Sequence, residues 1–177
     1  MLKNFASASV NIDLKDFQKV QLLGEGAYGQ VWEVKDPLDR QFAMKVQKKI
    51  QSLEDLDRSW YEFATHQFFS GGHPNIVRLF GFTVNQNPRL AVGIQELVKG
   101  GCLFDYIKKK PFTMPVSRLL ICQTACALDF IHGQGYVHRD VKAENLLVDG
   151  PLDVTNSQGW LKITDFGMTV PFIGQDT

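Results

Sequence analysis

The sequence predicts an α+β protein in which a small antiparallel sheet precedes a mainly helical part. The first observation is that residues 17–98 contain five strand-like runs around one helical pattern, in the order β-β-β-α-β-β. The second is that the regular patterns after residue 99 are led by two helical ones, a short one at 103–109 and a long one at 114–131. Gly100-Gly101 lies near this change of pattern and is a candidate hinge. Residues 1–16 show no clear periodicity and are interpreted as an N-terminal tail.

The first three strands are predicted from short apolar runs bounded by turn residues. These runs lie at residues 17–23, 31–34 and 42–46. Asp36-Pro37 marks a turn by its composition. The glycine-rich run from Gly24 to Gly29 joins the first two strands, so the three strands are predicted to be antiparallel neighbours.

The spacing of the apolar residues changes from that of a strand to that of a helix at residues 52–69, which predicts a helix there. Ser52 is a candidate N-cap, and acidic residues follow it, as a helix start prefers. The predicted apolar face is made by Leu53, Leu56, Trp60, Phe63 and Gln67. Gly71-Gly72-His73-Pro74 ends the helix, and two more strands are predicted at residues 76–82 and 90–97.

The second part begins with a short helical pattern at residues 103–109 and a long one at residues 114–131. The long pattern is apolar over much of its circumference, which is typical of a helix buried in a core. Residues 146–148 and 161–163 are strand-like, and the turn formers between them predict a hairpin connection over residues 149–160.

Composition excludes several classes of protein. The 177 residues are 44% apolar and 21% charged, as expected for a globular protein with a core. Lys plus Arg equals Asp plus Glu at 19 each, so net charge does not favour nucleic-acid or membrane binding. No apolar run is interpreted as long enough to cross a bilayer, and no secretory signal precedes the fold. A cytoplasmic or nuclear location is expected.

The three cysteines, Cys102, Cys122 and Cys126, show no zinc-ligand spacing. Cys122 and Cys126 are four residues apart on a predicted helix and could together clamp a metal. The favoured interpretation is that they are small buried hydrophobic side chains in a reducing compartment.

The glycines Gly24, Gly26 and Gly29 allow two interpretations. They could form a tight hairpin that needs positive φ. Alternatively, their backbone N–H groups could cover nucleotide phosphates, because a Cβ would obstruct that approach. The run lies between two strands, which disfavours a dinucleotide-binding turn, where a strand leads into a helix.

Lys45 follows apolar residues on a predicted central strand, and its ammonium needs a partner if it is buried. Glu62, midway along the next helix, is the candidate carboxylate. The alternative is that both side chains are exposed on the surface. The pattern around the two residues favours the pair only when it is taken together with the glycine run and the loop at residues 138–145.

Three different polar groups, Asp140, Lys142 and Asn145, lie between an apolar helix and an apolar strand. This arrangement is typical of a site, although Asp140 could instead form a buried ion pair with Arg139. Asp165 follows the next apolar strand, where its carboxylate could ligate Mg²⁺ with Asn145 as a second oxygen ligand.

These motifs follow one another in the order found in protein kinases, which the chain resembles over about residues 17–170. Lys142, two residues after Asp140, is similar to the serine/threonine branch. The resemblance implies a bilobal fold, with a five-stranded antiparallel small lobe at 17–98 and an incomplete, mainly helical large lobe at 99–177. It also implies ATP and Mg²⁺ as cofactors and protein serine or threonine hydroxyls as substrates.

The resemblance implies a role for each motif residue. Lys45, held by Glu62, would contact the nucleotide phosphates, and Asp140 would accept the hydroxyl proton beside Lys142. Asn145 and Asp165 would bind Mg²⁺. The remaining nucleotide contacts would come from Leu23, Gly24, Gly26, Gly29, Val31, Ala43, Gln95, Glu96, Val98 and Leu147. Among these, Gln95 would be the gatekeeper, and Glu96 and Val98 would supply hinge backbone groups.

The chain also departs from the family pattern. Cys102 stands where many kinases have a glutamate that binds ribose. His66 would enter an apolar stack with Leu79, His138 and Phe166, where an aliphatic side chain is usual. The run at residues 100–107 resembles the calcium/calmodulin-dependent and AMP-activated kinase groups.

Asp165-Phe166-Gly167 matches the Asp-Phe-Gly motif of the family, and no Ala-Pro-Glu follows it before Thr177, so the chain is interpreted as the N-terminal part of a kinase. Leu120, Ala127 and Ile131 are then expected to be exposed, and a partner protein could cover them. The alternative function is a catalytically inactive nucleotide-binding or interaction module. A small-molecule kinase of similar fold is a third, less favoured hypothesis.

Overall fold

The computed structural model describes residues 13–26, 29–47, 50–86, 89–150 and 161–172. The chain divides into two compact units. The first unit combines Met1–Ser70 with Arg78–Leu97, and the second combines Gly71–Val77 with Val98–Thr177. Most of the predicted tail and most of the predicted connection at 149–160 lie outside the described residues.

The first unit contains the predicted five-stranded antiparallel sheet, with the strand order β1-β2-β3-β5-β4. Its strands are β1 (Gln18–Glu25), β2 (Gly29–Lys35), β3 (Gln41–Gln47), β4 (Leu79–Gln86) and β5 (Arg89–Glu96), and its helix is α1 (Leu53–Phe69). The predicted fold class and the order of the elements are therefore confirmed. A short 3₁₀ turn at Leu14–Asp16 precedes β1.

The predicted fourth strand was placed too early, at residues 76–82, because Ile76 and Val77 have other partners. The Val77 N–H donates to the Ile163 carbonyl at 3.0 Å, and Ile76 forms an isolated bridge with the same residue. Asn75 is buried and donates its amide to the Leu161 carbonyl at 2.7 Å. These bonds attach Gly71–Val77 to the second unit.

Helix α1 begins as predicted at Ser52, through a reciprocal pair of hydrogen bonds. The Ser52 hydroxyl accepts the Asp55 N–H, and the Asp55 carboxylate accepts the Ser52 N–H, both at 3.0 Å. Leu56 and Phe63 are buried as predicted, whereas Leu53 is exposed in the first turn. Phe63 packs so close to β5 that a Cβ on Gly93 would lie 2.4 Å from its ring.

The sheet buries apolar residues on both faces. The cluster on the α1 side consists of Phe63, Ala64, Leu79, Phe82 and Ala91, and the cluster of the opposite face consists of Val34, Met44, Val92 and Ile94. Alternation along β3 places Ala43 and Lys45 on the α1 side, where Val31 of β2 lies directly opposite Lys45. One face of the sheet therefore carries three of the predicted nucleotide-contacting residues.

The second unit contains the remaining helices and four short strands. The elements are α2 (Leu103–Lys109), α3 (Met114–Gly133), β6 (Tyr136–Val137), β7 (Leu146–Val148), β8 (Leu161–Ile163) and β9 (Val170–Pro171). β7 pairs with β8, as the sequence predicted, and β6 pairs with β9. Both pairs are antiparallel.

Helix α3 corrects three expectations. Leu120, Ala127 and Ile131 are buried, not exposed, because their stripe of the helix packs against β8 and β6 within the same unit. Cys122 and Cys126 lie off that stripe and are exposed rather than buried. Contrary to the expectation that no run is long enough, α3 has the length and composition of a membrane span. That is weak support for a membrane role, since a helix in a protein core can have the same length and apolar composition.

Candidate functional site

Gly24 lies in β1, Gly26 follows it and Gly29 begins β2. The predicted tight hairpin is present, since the Gly26 N–H donates to the Gly29 carbonyl at 2.9 Å. In the described residues, glycines with positive φ occur at positions 71, 101, 135 and 150, so the expected positive φ was wrong for Gly24, Gly26 and Gly29. Gly29 is required by close packing, since a Cβ there would lie 2.3 Å from the Val46 carbonyl oxygen. Gly24 and Gly26 are exposed and would place a Cβ in open space, so packing within the described residues does not require a glycine at either position.

Lys45 and Glu62 form an ion pair within the first unit, with 2.5 Å between Nζ and Oε1. Their side chains are only 17% and 13% exposed, respectively. The alternative of two separate surface side chains is therefore wrong. β3 supplies the lysine from a central position of the sheet, and α1 supplies the glutamate from the helix that covers that face.

The second oxygen of Glu62 has a partner that sequence reasoning missed. The Gln47 amide Nε2 donates to Glu62 Oε2 at 2.7 Å, and the Ser59 hydroxyl lies 2.7 Å from Gln47 Oε1. Two periodicities could have found these residues. Gln47 follows Lys45 by two positions on a strand, and Ser59 precedes Glu62 by three positions on a helix.

The predicted adenine contacts of the first unit lie on neighbouring strands. Ala43 is directly opposite Gln95, and both are buried. Glu96 exchanges backbone and side-chain hydrogen bonds with Arg78, at 2.8 Å and 2.7 Å. Leu23, at the end of β1, is 45% exposed.

The remaining predicted adenine contacts, Val98 and Leu147, lie in the second unit. Val98 is buried, and Leu147 is half-buried beside Cys102, with which it forms an isolated bridge. The Cys102 thiol lies 3.3 Å from an Asp105 carboxylate oxygen, and burial raises the pKa of that thiol. The residue at the expected ribose position is thus engaged with its own helix α2.

The loop between β6 and β7 brings Asp140, Lys142 and Asn145 together. The Lys142 ammonium lies 2.7 Å from Asp140 Oδ2, and the Asn145 amide donates to the same oxygen at 2.9 Å. Asn145 also donates to the Asp140 backbone carbonyl at 2.9 Å. None of these bonds uses Asp140 Oδ1. The hydrogen bond to Asp140 raises the pKa of Lys142.

Arg139 does not form the ion pair that was the alternative for Asp140. Its Nε donates to the Met168 carbonyl at 2.7 Å, across 29 residues of sequence. Arg139 also has positive φ, at 65°, which is uncommon for a residue with a Cβ.

His138 supports the backbone of the same loop. Its Nδ1 accepts the Asp140 N–H at 3.3 Å, which leaves Nε2 to donate to the Thr164 carbonyl at 3.2 Å. Burial lowers the pKa of His138 and so favours this neutral ring. The ring also contacts Phe166 edge-on at 5.3 Å, the part of the predicted apolar stack that lies within the second unit.

Asn145 and Asp165 are at the same end of the β7–β8 pair. Leu146 lies opposite Ile163 in the register, and the Thr164 N–H donates to the Asn145 carbonyl at 3.0 Å. Because Asn145 Nδ2 is bonded to Asp140, Oδ1 is the amide atom that remains for a ligand. A carboxylate and an amide oxygen are the donors that Mg²⁺ prefers, so the two residues fit the predicted ion. Within the described ranges, no cluster of three or more His, Cys, Asp or Glu residues could hold a metal.

Known proteins that are similar in sequence to this chain agree with the site residues described above. A family model described as protein kinase domain matches residues 17–176. The chain is 31% identical over 158 residues to the atypical protein kinase C of Drosophila melanogaster, and the match covers 88% of the chain. It is 33% identical over 162 residues to the ribosomal protein S6 kinase alpha-2 of Mus musculus, with 89% covered.

A third relative is the serine/threonine-protein kinase YPK3 of Saccharomyces cerevisiae, 32% identical over 194 residues and matched by 94% of the chain. The matches cover 25%, 21% and 35% of these three relatives, so the chain spans about a third of their length or less. The family model, in contrast, covers nearly all of the chain. The chain belongs to the protein kinase domain family.

Proposed function

We propose that this chain carries the phosphoryl-transfer chemistry of a serine/threonine protein kinase, with ATP as the phosphoryl donor. The observation that carries the proposal is the environment of Asp140. Two hydrogen-bonded partners hold its Oδ2, and neither uses Oδ1. A carboxylate held by one oxygen is oriented, and its other oxygen can receive a proton.

In the proposed reaction, the oxygen of a protein hydroxyl attacks the γ-phosphorus of ATP and forms a new P–O bond. The hydroxyl proton moves to Asp140 Oδ1. The bond between the γ-phosphorus and the β–γ bridging oxygen breaks, and ADP leaves with the electron pair. The Lys142 ammonium, next to Asp140, offsets negative charge on the transferring group.

The first unit would bind the nucleotide phosphates and the adenine. Lys45, positioned by Glu62, would contact the α- and β-phosphates, and the exposed glycines Gly24 and Gly26 would cover them. Val31 and Ala43 lie on the same sheet face as Lys45 and would contact adenine. Leu23, Gln95 and Glu96 are the other proposed adenine contacts of the first unit, and Val98 and Leu147 are those of the second unit.

Asn145 and Asp165 would hold the metal ion. Mg²⁺ bound there would neutralise phosphate charge during the transfer. The two residues are positioned by the β7–β8 backbone bonds rather than by each other.

Protein serine and threonine are the proposed acceptors. Lys142 supports this proposal, as does the similarity to the serine/threonine-protein kinase YPK3. An inactive nucleotide-binding module is not favoured, because Lys45, Asp140, Lys142, Asn145 and Asp165 are all present. A calcium/calmodulin-dependent or AMP-activated subgroup rests on residues 100–107 alone, while the relatives above carry other names, so it stays a prediction. A cytoplasmic or nuclear location also stays a prediction.

The test is to measure transfer of labelled γ-phosphate to a serine/threonine peptide by the chain and by Asp140→Asn. We expect the variant to lose about a thousandfold in rate. The matched control is Asp129→Asn, which neutralises an exposed carboxylate on α3 and should leave the rate unchanged. Equal rates for the chain and Asp140→Asn would refute the proposed role of Asp140.

A binding measurement separates the inactive module from the enzyme. We expect Mg-ATP to raise the melting temperature of both the chain and Asp140→Asn, because Asp140 is not a proposed nucleotide contact. Binding by both proteins without transfer by either would favour the inactive module.

A further inference from the structure

We propose that Gln47 is a positioning residue that sets the orientation of the Glu62 carboxylate and, through it, the position of the Lys45 ammonium. The structural part of this inference rests on four side chains of the first unit, Lys45, Gln47, Ser59 and Glu62. Its catalytic consequence rests on the function proposed above.

The donor and acceptor roles in this chain of contacts follow from chemistry. An ionised carboxylate only accepts, so the Gln47 amide must present Nε2 to Glu62 Oε2. The amide oxygen Oε1 then faces Ser59 and needs a donor, which the Ser59 hydroxyl supplies at 2.7 Å. The Ser59 hydroxyl also lies 2.8 Å from the Asp55 carbonyl, but its single proton can serve one acceptor at a time.

Both ends of the contact chain are attached to regular structure. Gln47 is the last residue of β3, two positions after Lys45, so the two side chains leave the strand on the same face. Ser59 lies on α1 one turn before Glu62 and is only 2% exposed. Gln47 therefore connects the strand that carries the lysine to the helix that carries the glutamate.

The two oxygens of Glu62 have different partners, Lys45 at Oε1 and Gln47 at Oε2. Rotation of the carboxylate would have to break both bonds. Without the Gln47 amide, Oε2 would lose its hydrogen bond in a site where the side chain is 13% exposed. A hydrogen bond to a charged group is strong enough to change the ratio of two side-chain arrangements about tenfold.

The first readout does not depend on enzymatic activity. The chain and Gln47→Leu are treated with an amine-acylating reagent, and the labelling rate of Lys45 is measured by peptide mass spectrometry. We expect Lys45 to be labelled about tenfold faster in Gln47→Leu, because its ammonium is less firmly held by Glu62. The matched control is Gln21→Leu, which removes the hydrogen bond from the Gln21 side-chain amide to the Glu33 carboxylate on the same sheet. It should leave Lys45 labelling within about twofold.

Gln47→Met is the second variant, since its side chain has a similar length and cannot donate a hydrogen bond to Glu62. It should raise Lys45 labelling about as much, and it keeps the test valid if Gln47→Leu does not fold. Unchanged Lys45 labelling in the folded variants would overturn the inference.

The second readout compares the effect of the substitution on KM for ATP with its effect on kcat. We expect KM for ATP to rise about tenfold in Gln47→Leu with a smaller fall in kcat, because Lys45 is proposed to contact the nucleotide phosphates. Equal falls in activity for Gln47→Leu and Gln21→Leu, with KM unchanged, would indicate a general structural role and overturn the inference. Faster Lys45 labelling in a chain without any phosphate transfer would support the positioning role while refuting the proposed function.

Discussion

Each of the two units holds one carboxylate between an ammonium and a carboxamide, but the two arrangements differ. In the first unit, Lys45 and Gln47 bind different oxygens of Glu62. In the second unit, Lys142 and Asn145 bind the same oxygen of Asp140. In the first arrangement each carboxylate oxygen accepts one of these bonds. In the second, one oxygen accepts both of them and the other accepts neither.

The difference corresponds to two chemical uses of the same groups. A carboxylate with a partner on each oxygen is fixed in orientation and suits a positioning role. A carboxylate held by one oxygen is oriented and can still exchange a proton at the other. Exposure follows the same division, since the Glu62 side chain is 13% exposed and the Asp140 side chain is 29% exposed.

The largest effect that tests this comparison is expected at the first ion pair. Glu62→Gln and Lys45→Met should each reduce the free energy of unfolding by about 2 kcal/mol, because either change removes the opposite charge next to a mostly buried ionised group. The double variant should lose about 1.5 kcal/mol less than the sum of the single losses. Urea unfolding of the four proteins measures this coupling.

The control cycle uses Arg58 and Glu54 on the same helix, whose side chains are 73% and 75% exposed. Their coupling should be at most about 0.5 kcal/mol. Equal coupling in the two cycles would show that burial does not distinguish the Lys45–Glu62 pair.

An effect of intermediate size is expected at His73, which bonds to a residue close in sequence and packs against one that is distant in sequence. Its Nδ1 accepts the Asn75 N–H at 3.1 Å, and its ring stacks on Phe130 at 5.6 Å. Burial lowers the pKa of His73 below its ordinary 6.5, so the unfolded chain takes up the proton first as pH falls. The stability that depends on the neutral ring should be present above pH 6.5 and be lost as pH falls through the folded-state pKa.

The measurement is the free energy of unfolding as a function of pH for the chain and for His73→Asn. An asparagine keeps an acceptor two residues before the Asn75 N–H but does not titrate. His132→Gln, an exposed histidine on α3, serves as the control. If His73→Asn retains the full loss of stability at low pH, His73 is not its source.

The smallest effect is expected at the second ion pair. The side chains of Lys142 and Asp140 are 47% and 29% exposed, and the residues are two positions apart. Coupling between Lys142→Met and Asp140→Asn in the free energy of unfolding should be about 0.5 kcal/mol or less. The same variants should nevertheless reduce phosphate transfer strongly, and a coupling as large as that of Lys45 and Glu62 would remove the contrast between the two units.

The sequence alone predicted the second arrangement more completely than the first. Asp140, Lys142 and Asn145 lie within six residues, so a local motif contained all three. The Lys45–Glu62 pair was predicted only with the support of other motifs, and Gln47 and Ser59 were missed. Those residues lie on a strand and a helix, and their contact depends on how α1 packs against β3.

Other errors have the same physical origin. Ile76 and Val77 have the apolar character of a strand, but both bond to Ile163, far along the chain. The glycine run lies at the turn from β1 to β2 as predicted, although Gly24 belongs to β1 and Gly29 to β2. Only the pairing of β2 with β3 showed that the Val46 carbonyl requires a glycine at position 29. The expected exposure of α3 was wrong because β8 and β6 cover its buried stripe.

The sequence by itself determined the order of the elements, the N-cap of α1, and which residues make up each site motif and at what spacing. These features depend on periodicity, turn chemistry and residue identity, which are local. The tertiary structure decided which carboxylate oxygen each partner binds and which glycine has no room for a Cβ. It also decided which face of α3 is buried. Those properties depend on the distances between segments that are far apart in the chain, and local patterns do not contain them.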